Sequence, residues 1–204
     1  MKTKYLLTAI LLAACTGLFA QSDNEKATAA ISQSYVSEFS NHYPQAIEAL
    51  TKSYDDKSYF INLRLGWLHY LSGDQKKSSI YYKEAIKIVP HSVEARMGLA
   101  LPLSVMGNWD EITEIYKEIL SIDPNNSVVN FRMALISFNK KDNEKATSYC
   151  MKVLDLYPFD YDTNLLLGKI QMSTGKMGLA KTTLYKALQY NPDSKEVREL
   201  LKKT

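Results

Sequence analysis

Four prolines, Pro90, Pro124, Pro158 and Pro192, stand 34 residues apart along this chain. A fixed interval of that length marks a repeat architecture, in which one supersecondary unit recurs and no single unit buries its apolar side alone. The chain is 46% hydrophobic and 23% charged, which places it among folded rather than disordered sequences. One continuous stack of units therefore explains its length better than two unrelated domains.

Counting back from each proline gives the intervals 59–92, 93–126, 127–160 and 161–194. Each interval divides into two helical stretches around a turn near its fifteenth position. Gly73, Gly107 and Gly175 occupy that turn, with Lys141 in the remaining interval. Glycine suits a helix C-terminus because it accepts the left-handed backbone conformation at no steric cost. The periodic proline follows the second stretch and blocks its continuation. Asp123-Pro124-Asn125-Asn126 and Asn191-Pro192-Asp193-Ser194 are turn sequences that also supply a cap to the next helix.

Small residues recur at fixed places. Position 8 of each interval holds Gly66, Ala100, Ala134 and Gly168; position 20 holds Ser78, Ile112, Ala146 and Ala180; position 27 holds Ala85, Ile119, Val153 and Ala187. Small side chains let two antiparallel helices approach closely. Larger residues fill the space beside them: Leu65, Leu99, Met133 and Leu167 at position 7, then Tyr82, Tyr116, Cys150 and Leu184 at position 24.

This pattern resembles the tetratricopeptide repeat family, whose motif has an apolar residue at 7, Gly or Ala at 8, Ala at 20, an aromatic or apolar residue at 24, Ala at 27 and Pro at 32. Leu167-Gly168, Gly175, Ala180, Leu184, Ala187 and Pro192 follow it nearly throughout, and Leu65-Gly66, Tyr82, Ala85 and Pro90 follow it well. The resemblance implies an all-α fold, a right-handed α-solenoid of tetratricopeptide helix pairs. Departures are local. Position 4, usually large, holds Asn62, Arg96, Asn130 and Asn164. The interval 93–126 carries Ile112 and Ile119 at small positions and Pro102 within its first helix, where a lost hydrogen bond predicts a local change of curvature.

The ends are variants of the same unit. Residues 21–58 read as a linker and a degenerate first repeat. Its second helix begins near Tyr43-Pro44, with proline in the first turn, and Ile31, Tyr35, Val36 and Phe39 form the expected apolar face of its first helix. Residues 195–204 read as a capping helix with Val197, Leu200 and Leu201 inward, covering a stacking face the last repeat would otherwise expose.

Residues 1–20 read as an address. Lys2 and Lys4 precede the apolar run 5–14 and small residues follow, the pattern of a secretory signal. The run is too short for a comfortable transmembrane span. A cleavage site after Ala20 is favoured by the polar Gln21-Ser22-Asp23-Asn24 that follows. The alternative is Leu12-Ala13-Ala14-Cys15, which resembles a bacterial lipobox and would make Cys15 a lipidated first residue; the apolar Thr16–Ala20 is an unusual tether for it. Either reading predicts export, to the periplasm or outer-membrane periphery of a two-membrane bacterium, with membrane contact only if Cys15 is lipidated.

The remaining chemistry is sparse. Net charge is +3, including Lys2 and Lys4, which gives no electrostatic reason to invoke nucleic acid. Cys150 is the one cysteine of the repeats, so no disulfide framework forms there, and its apolar helix position makes it a buried small hydrophobe. His42, His69 and His91 are scattered, without metal-ligand spacing. No glycine-rich phosphate loop or GxSxG elbow occurs. The sequence predicts no catalytic residues, no metal and no cofactor, and a non-catalytic protein.

What the resemblance implies about binding is a concave face lined by positions 2, 5, 6, 9 and 12 of the first helices. Carried over, those positions give Phe60, Leu63, Arg64, Trp67 and Tyr70; Met97 and Leu101; Phe131, Arg132, Leu135 and Phe138; and Leu165, Lys169 and Met172. Leu63, Leu101, Leu135 and Leu165 could equally be core. Arg64 and Arg132 are expected as isolated cations in an apolar, aromatic groove suited to a protein or peptide partner with apolar anchors. The carboxylate clamp of chaperone-binding members, Lys at position 5 and Asn at position 9, is not matched: Leu63 and Trp67, or Phe131 and Leu135, stand there.

Overall fold

The computed structural model describes residues 25–52 and 54–204, all of whose regular structure is helical. The proposed leader and Cys15 lie outside the described residues. In order, the helices are α1 (residues 25–39), α2 (Tyr43–Thr51), α3 (Tyr59–Leu71), α4 (Gln75–Ile88), α5 (Val93–Val105), α6 (Trp109–Ile122), α7 (Ser127–Asn139), α8 (Asn143–Leu156), α9 (Tyr161–Ser173), α10 (Met177–Tyr190) and α11 (Lys195–Leu201). The fold is all-α, a succession of helix pairs.

The turns between paired helices depend on left-handed residues. Gly73, Gly107 and Gly175 have φ of 86°, 74° and 73°, and Lys141 takes the same conformation at 61°. Asn41, at 59°, makes the corresponding turn between α1 and α2. The helix starts are capped by side chains. Ser92 and Asn126, at the last position of their intervals, accept from the backbone N–H groups of Ala95 and Val129 at 3.0 Å each. Asp160 and Ser194 cap the following first helices in the same way.

The chain divides into two compact units, the first ending at Asn108 and the second running Trp109–Thr204. The division falls inside the interval 93–126. That is the interval in which Ile112 and Ile119 replace small residues. Pro102 does not end α5, which continues through it to Val105.

In the first unit, α3 packs on α2, α4 and α5. Ala46, Leu50, Ile61, Leu65 and Leu68 form a core under Ile31, Ile47 and Tyr81. Gly66 lets α4 come close: the Ser78 hydroxyl donates to the Gly66 carbonyl at 2.7 Å, and a Cβ at Gly66 would stand 2.9 Å from the Tyr82 ring. The expected face of α1 is corrected. Ser34 and Ser37 are buried, whereas Tyr35, Val36 and Phe39 are exposed, Phe39 at 91%. Only Ile31 of the expected set packs inward, because small serines face the core and polar side chains from α3 reach across to α1.

In the second unit, α7 packs with α8 and α9 with α10. One core joins Ala134, Ala146, Cys150, Leu166, Leu167 and Ile170. Another joins Leu165, Leu184, Ala187 and Val197, covered by Leu200 and Leu201 of α11. At Gly168 a Cβ would meet Leu184 at 2.6 Å, the same close approach as at Gly66.

The irregular position 4 is a polar lock on the proline turns. Asn130 donates to the carbonyls of Pro124 and Asn126 at 3.0 and 2.9 Å. Asn164 does the same to Pro158 and Asp160 at 3.0 and 2.8 Å. Arg96 reaches the Ser92 carbonyl at 3.2 Å and Arg198 the Pro192 carbonyl at 2.8 Å. Tyrosines at position 1 add a clasp to the next interval, Tyr59 to Ser92 at 2.8 Å and Tyr161 to Ser194 at 2.7 Å. The bonds to Pro124, Pro158 and Pro192 satisfy carbonyls of the turns themselves, while Asn126 and Asp160 also accept a backbone N–H at the helix start.

Candidate functional site

Each unit carries its own first-helix surface. In the first unit a cleft of about 300 Å³ is lined by Tyr35, Phe60, Leu63, Arg64, Trp67, Tyr82, Glu94 and Gly98. Phe60 stands 41% exposed at its mouth. Trp67 and Tyr70, three apart on α3 and so on one face, have ring centroids 5.7 Å apart. Gly98 opens the floor, since a Cβ there would overlap Tyr82.

Arg64 is not the isolated cation that the sequence predicts. It is 7% exposed and paired with Glu38 of α1 at 2.5 Å. It also donates to the Ser34 hydroxyl at 3.1 Å and lies over the Tyr35 ring, 3.8 Å from its centroid. Trp67 donates its indole N–H to the same Glu38 at 2.6 Å. A charge taken out of water needs such pairing. Glu38 therefore joins α1 to α3, and removing Trp67 perturbs stability and the cleft together. Of the expected α3 aromatics, Phe60 is exposed and Tyr70 half-buried, without the carboxylate bond that holds Trp67.

In the second unit the apolar groove residues divide. Leu165 is core, and Phe131 and Phe138 pack partly against the cluster of α7, α8 and α9. Met172 packs against the cluster beneath α11. Lys169 is held by Glu196 of α11 at 2.6 Å, so it fastens the capping helix rather than standing free. Met97, in the first unit, is half-buried, and Leu135 is exposed at 37%.

Arg132 differs from Arg64. It is exposed, it shares a cleft wall with the nearby Tyr116 hydroxyl, and among the described residues it has no carboxylate partner. Burial raises the Tyr116 pKa while the neighbouring Arg132 charge opposes that rise. Two clefts flank Arg132. One, about 450 Å³, is lined by Ser127, Phe131, Val153, Tyr157, Asp160 and Asp162 among others. The second, about 470 Å³, lies between α6 and α7, bounded by Trp109, Tyr116, Arg132, Leu135, Ile136, Asn139 and Lys140.

Carrying over first-helix positions missed Glu38, Trp109, Tyr116 and Lys140. The signal for the α6 pair was legible: Trp109 and Tyr116 are seven apart and share one helix face. Among the described residues no three His, Cys, Asp or Glu side chains gather as a metal set, and no helix is long and apolar enough to cross a membrane. His69 is buried, stacked on Tyr81 with centroids 5.3 Å apart. Burial lowers its pKa, with Asp74 opposing. The Cys150 thiol is wholly buried, which pushes its pKa up to about 12.

Residues 61–91, 128–160 and 161–194 each match the family model for the tetratricopeptide repeat. This chain is a tetratricopeptide repeat protein. The stretch outside those matches includes the interval with Pro102, Ile112 and Ile119. The chain is 28% identical over 178 residues to protein O-mannosyl-transferase TMTC1 of Homo sapiens, covering 68% of this chain and 20% of that protein. It thus spans about a fifth of the length of the curated relative it matches. Among solved structures, a tetratricopeptide repeat protein from Parabacteroides merdae aligns with a TM-score of 0.76 at 14% identity, covering 87% of this chain and 71% of that one. MamA from Desulfovibrio magneticus aligns with a TM-score of 0.69 at 16% identity, covering 83% and 98%. At these identities the likeness is one of fold. Tetratricopeptide repeats generally serve as protein-interaction scaffolds, which is the coarse function of such a chain.

Proposed function

We propose that this protein is an exported, non-catalytic adaptor that holds a protein or peptide on its first-helix surfaces. The observation that carries the reading is the state of those surfaces. Buried small residues hold α3 to α4 and α9 to α10 at close approach, yet Phe60, Trp67, Arg132 and Leu135 remain at cleft walls rather than in the core, with Tyr70 beside Trp67. Aromatic side chains and arginine dominate binding energy where they are rigidly presented. The apolar run 5–14 after Lys2 and Lys4 supports export, and cleavage after Ala20 would release the mature chain into a periplasm.

The sequence Leu12-Ala13-Ala14-Cys15 favours a second reading, in which the same adaptor is an outer-membrane lipoprotein anchored through Cys15. Intact mass of the native chain separates the two: a polypeptide starting at Gln21 supports simple cleavage, and a lipid-bearing Cys15 supports the anchor. Photo-crosslinkers at Phe60 and Leu135 test the adaptor role. Discrete crosslinked partners are expected from both positions and none from Tyr185, exposed on the second helix α10. Equal crosslinking at all three would refute a dedicated binding surface.

A further inference from the structure

The two clefts of the α3 and α7 faces differ in the charge they offer. At the first, Glu38 already neutralises Arg64, so what the cleft presents is aromatic surface. At the α6–α7 cleft the cation is unspent. Arg132, Leu135, Ile136, Asn139 and Lys140 recur every three or four residues, so they form one stripe along α7. Trp109 and Tyr116 form the facing stripe of α6. Trp109 is 56% exposed. Lys140 reaches Asp110 at 3.9 Å in open solvent, a contact of little strength.

We propose that the α6–α7 cleft is an anchoring site for a peptide bearing a large apolar side chain next to an acidic residue. The apolar side chain enters between Trp109, Leu135 and Ile136, and the carboxylate meets the Arg132 guanidinium, which lines the same cleft as Tyr116. Arginine offers a planar fork of donors that matches a carboxylate in two parallel bonds. The wall beside it is apolar, so that pair forms with less competition from water than on an open helix face. Lys140 at the far end adds positive potential, and the Asn139 amide offers a donor and an acceptor to peptide backbone. The inference rests on the adaptor reading and specifies the partner chemistry of one of its surfaces.

Trp109 reports directly on the site. The probes are acetyl-Gly-Phe-Glu-Gly-amide and two matched peptides, one with Lys in place of Glu and one with Ala in place of Phe. Titration into the full chain is followed by NMR of 15N-labelled indole groups, with the Trp109 signal assigned by its loss in Trp109→Phe. The Phe-Glu peptide should shift Trp109, binding on the order of tenfold more tightly than either control, the scale of one charge-assisted hydrogen bond. Arg132→Glu should reverse the preference in favour of the Phe-Lys peptide, and Arg132→Gln should abolish it without reversal. Both variants are checked for an unchanged urea midpoint. Equal binding of the Glu and Lys peptides, a preference untouched by Arg132→Glu, or a shift confined to Trp67 would each overturn the proposal. So would a Trp109 signal that moves with protein concentration and resists the peptide, since the cleft would then be a contact between copies of this chain. If crosslinked partners are captured equally by wild type and Arg132→Glu, the adaptor reading survives and this inference fails; capture by neither would sink the adaptor reading itself.

Discussion

Gly98→Ala should destabilise the first unit, against the usual direction of such a change. In an ordinary helix interior, replacing glycine by alanine favours folding by about 1 kcal/mol, because glycine loses more backbone freedom. Here a Cβ would stand 2.2 Å from Tyr82 Cε1 and 2.6 Å from Cζ, far inside the contact distance of two carbons. The ring has little room to retreat, since Tyr82 is 3% exposed and also lies against Gly66. Overpacking of this kind costs about 1–3 kcal/mol, which outweighs the propensity gain and leaves a net loss of about 1 kcal/mol. The decisive arm is Tyr82→Ala. That change is itself costly, about 3–5 kcal/mol for a buried aromatic. With the ring gone, the three atoms nearest that Cβ are removed, and Gly98→Ala should become stabilising by about 1 kcal/mol. The sign reversal corresponds to a coupling of about 2 kcal/mol, within the range of contacting residues. Urea denaturation followed through Trp67 emission, in a common Trp109→Phe background, measures all four corners of the cycle. A stabilising Gly98→Ala with Tyr82 present, or a penalty that persists in Tyr82→Ala, would refute the close-approach argument.

Glu38→Ala should cost about 3 kcal/mol, because Arg64 stays buried without its partner, and a red shift of Trp67 emission should accompany it; an unchanged urea midpoint would remove Glu38 from its structural role. Burial holds the His69 pKa below its ordinary 6.5, so below that value the unfolded chain binds a proton that the folded chain resists. Stability of the first unit should therefore fall as pH drops below about 6.5, and His69→Gln should flatten that part of the curve, as denaturation midpoints across pH will show. Cys150 should stay unreacted with a disulfide-forming thiol reagent at pH 8 until the second unit unfolds, because burial disfavours its thiolate; rapid labelling of the native protein would contradict its place in the core. Asn130→Ala should cost about 1–2 kcal/mol, since the Pro124 carbonyl loses its donor while Asn126 keeps the backbone N–H of residue 130, whereas Asn125→Ala in the same turn should be nearly neutral.

The helix pairs were legible in the sequence because their determinants are local or strictly periodic. Gly66 and Gly168, the left-handed turn residues and the caps at Asn126 and Ser194 each act within one unit or at a fixed offset. Lys141 could be placed at a left-handed turn by its register alone, although its side chain argues against that conformation. The α1 face was misread because apolar residues at helical spacing predict burial, and Tyr35, Val36 and Phe39 have that spacing. What α1 buries instead depends on a distant partner: Arg64 and Trp67, on α3, select the side of α1 that carries Glu38 and Ser34. No pattern within residues 25–39 encodes that choice. Arg64 was misread as free for the same reason, since its counter-charge lies outside its own repeat.

The same contrast separates the two arginines by function. Both occupy position 6 of a first helix, and both read identically in the repeat frame. Arg64 meets a carboxylate from α1, the first helix of the preceding pair, and becomes a structural tie. Arg132 lies beside the neutral Tyr116 hydroxyl, which leaves its charge uncancelled. A repeat frame thus places a residue, and the neighbouring unit decides whether its charge is consumed in packing or left for a ligand. On that argument, substituting Tyr116 by Glu should silence Arg132 as Glu38 silences Arg64, trading ligand preference for an internal ion pair.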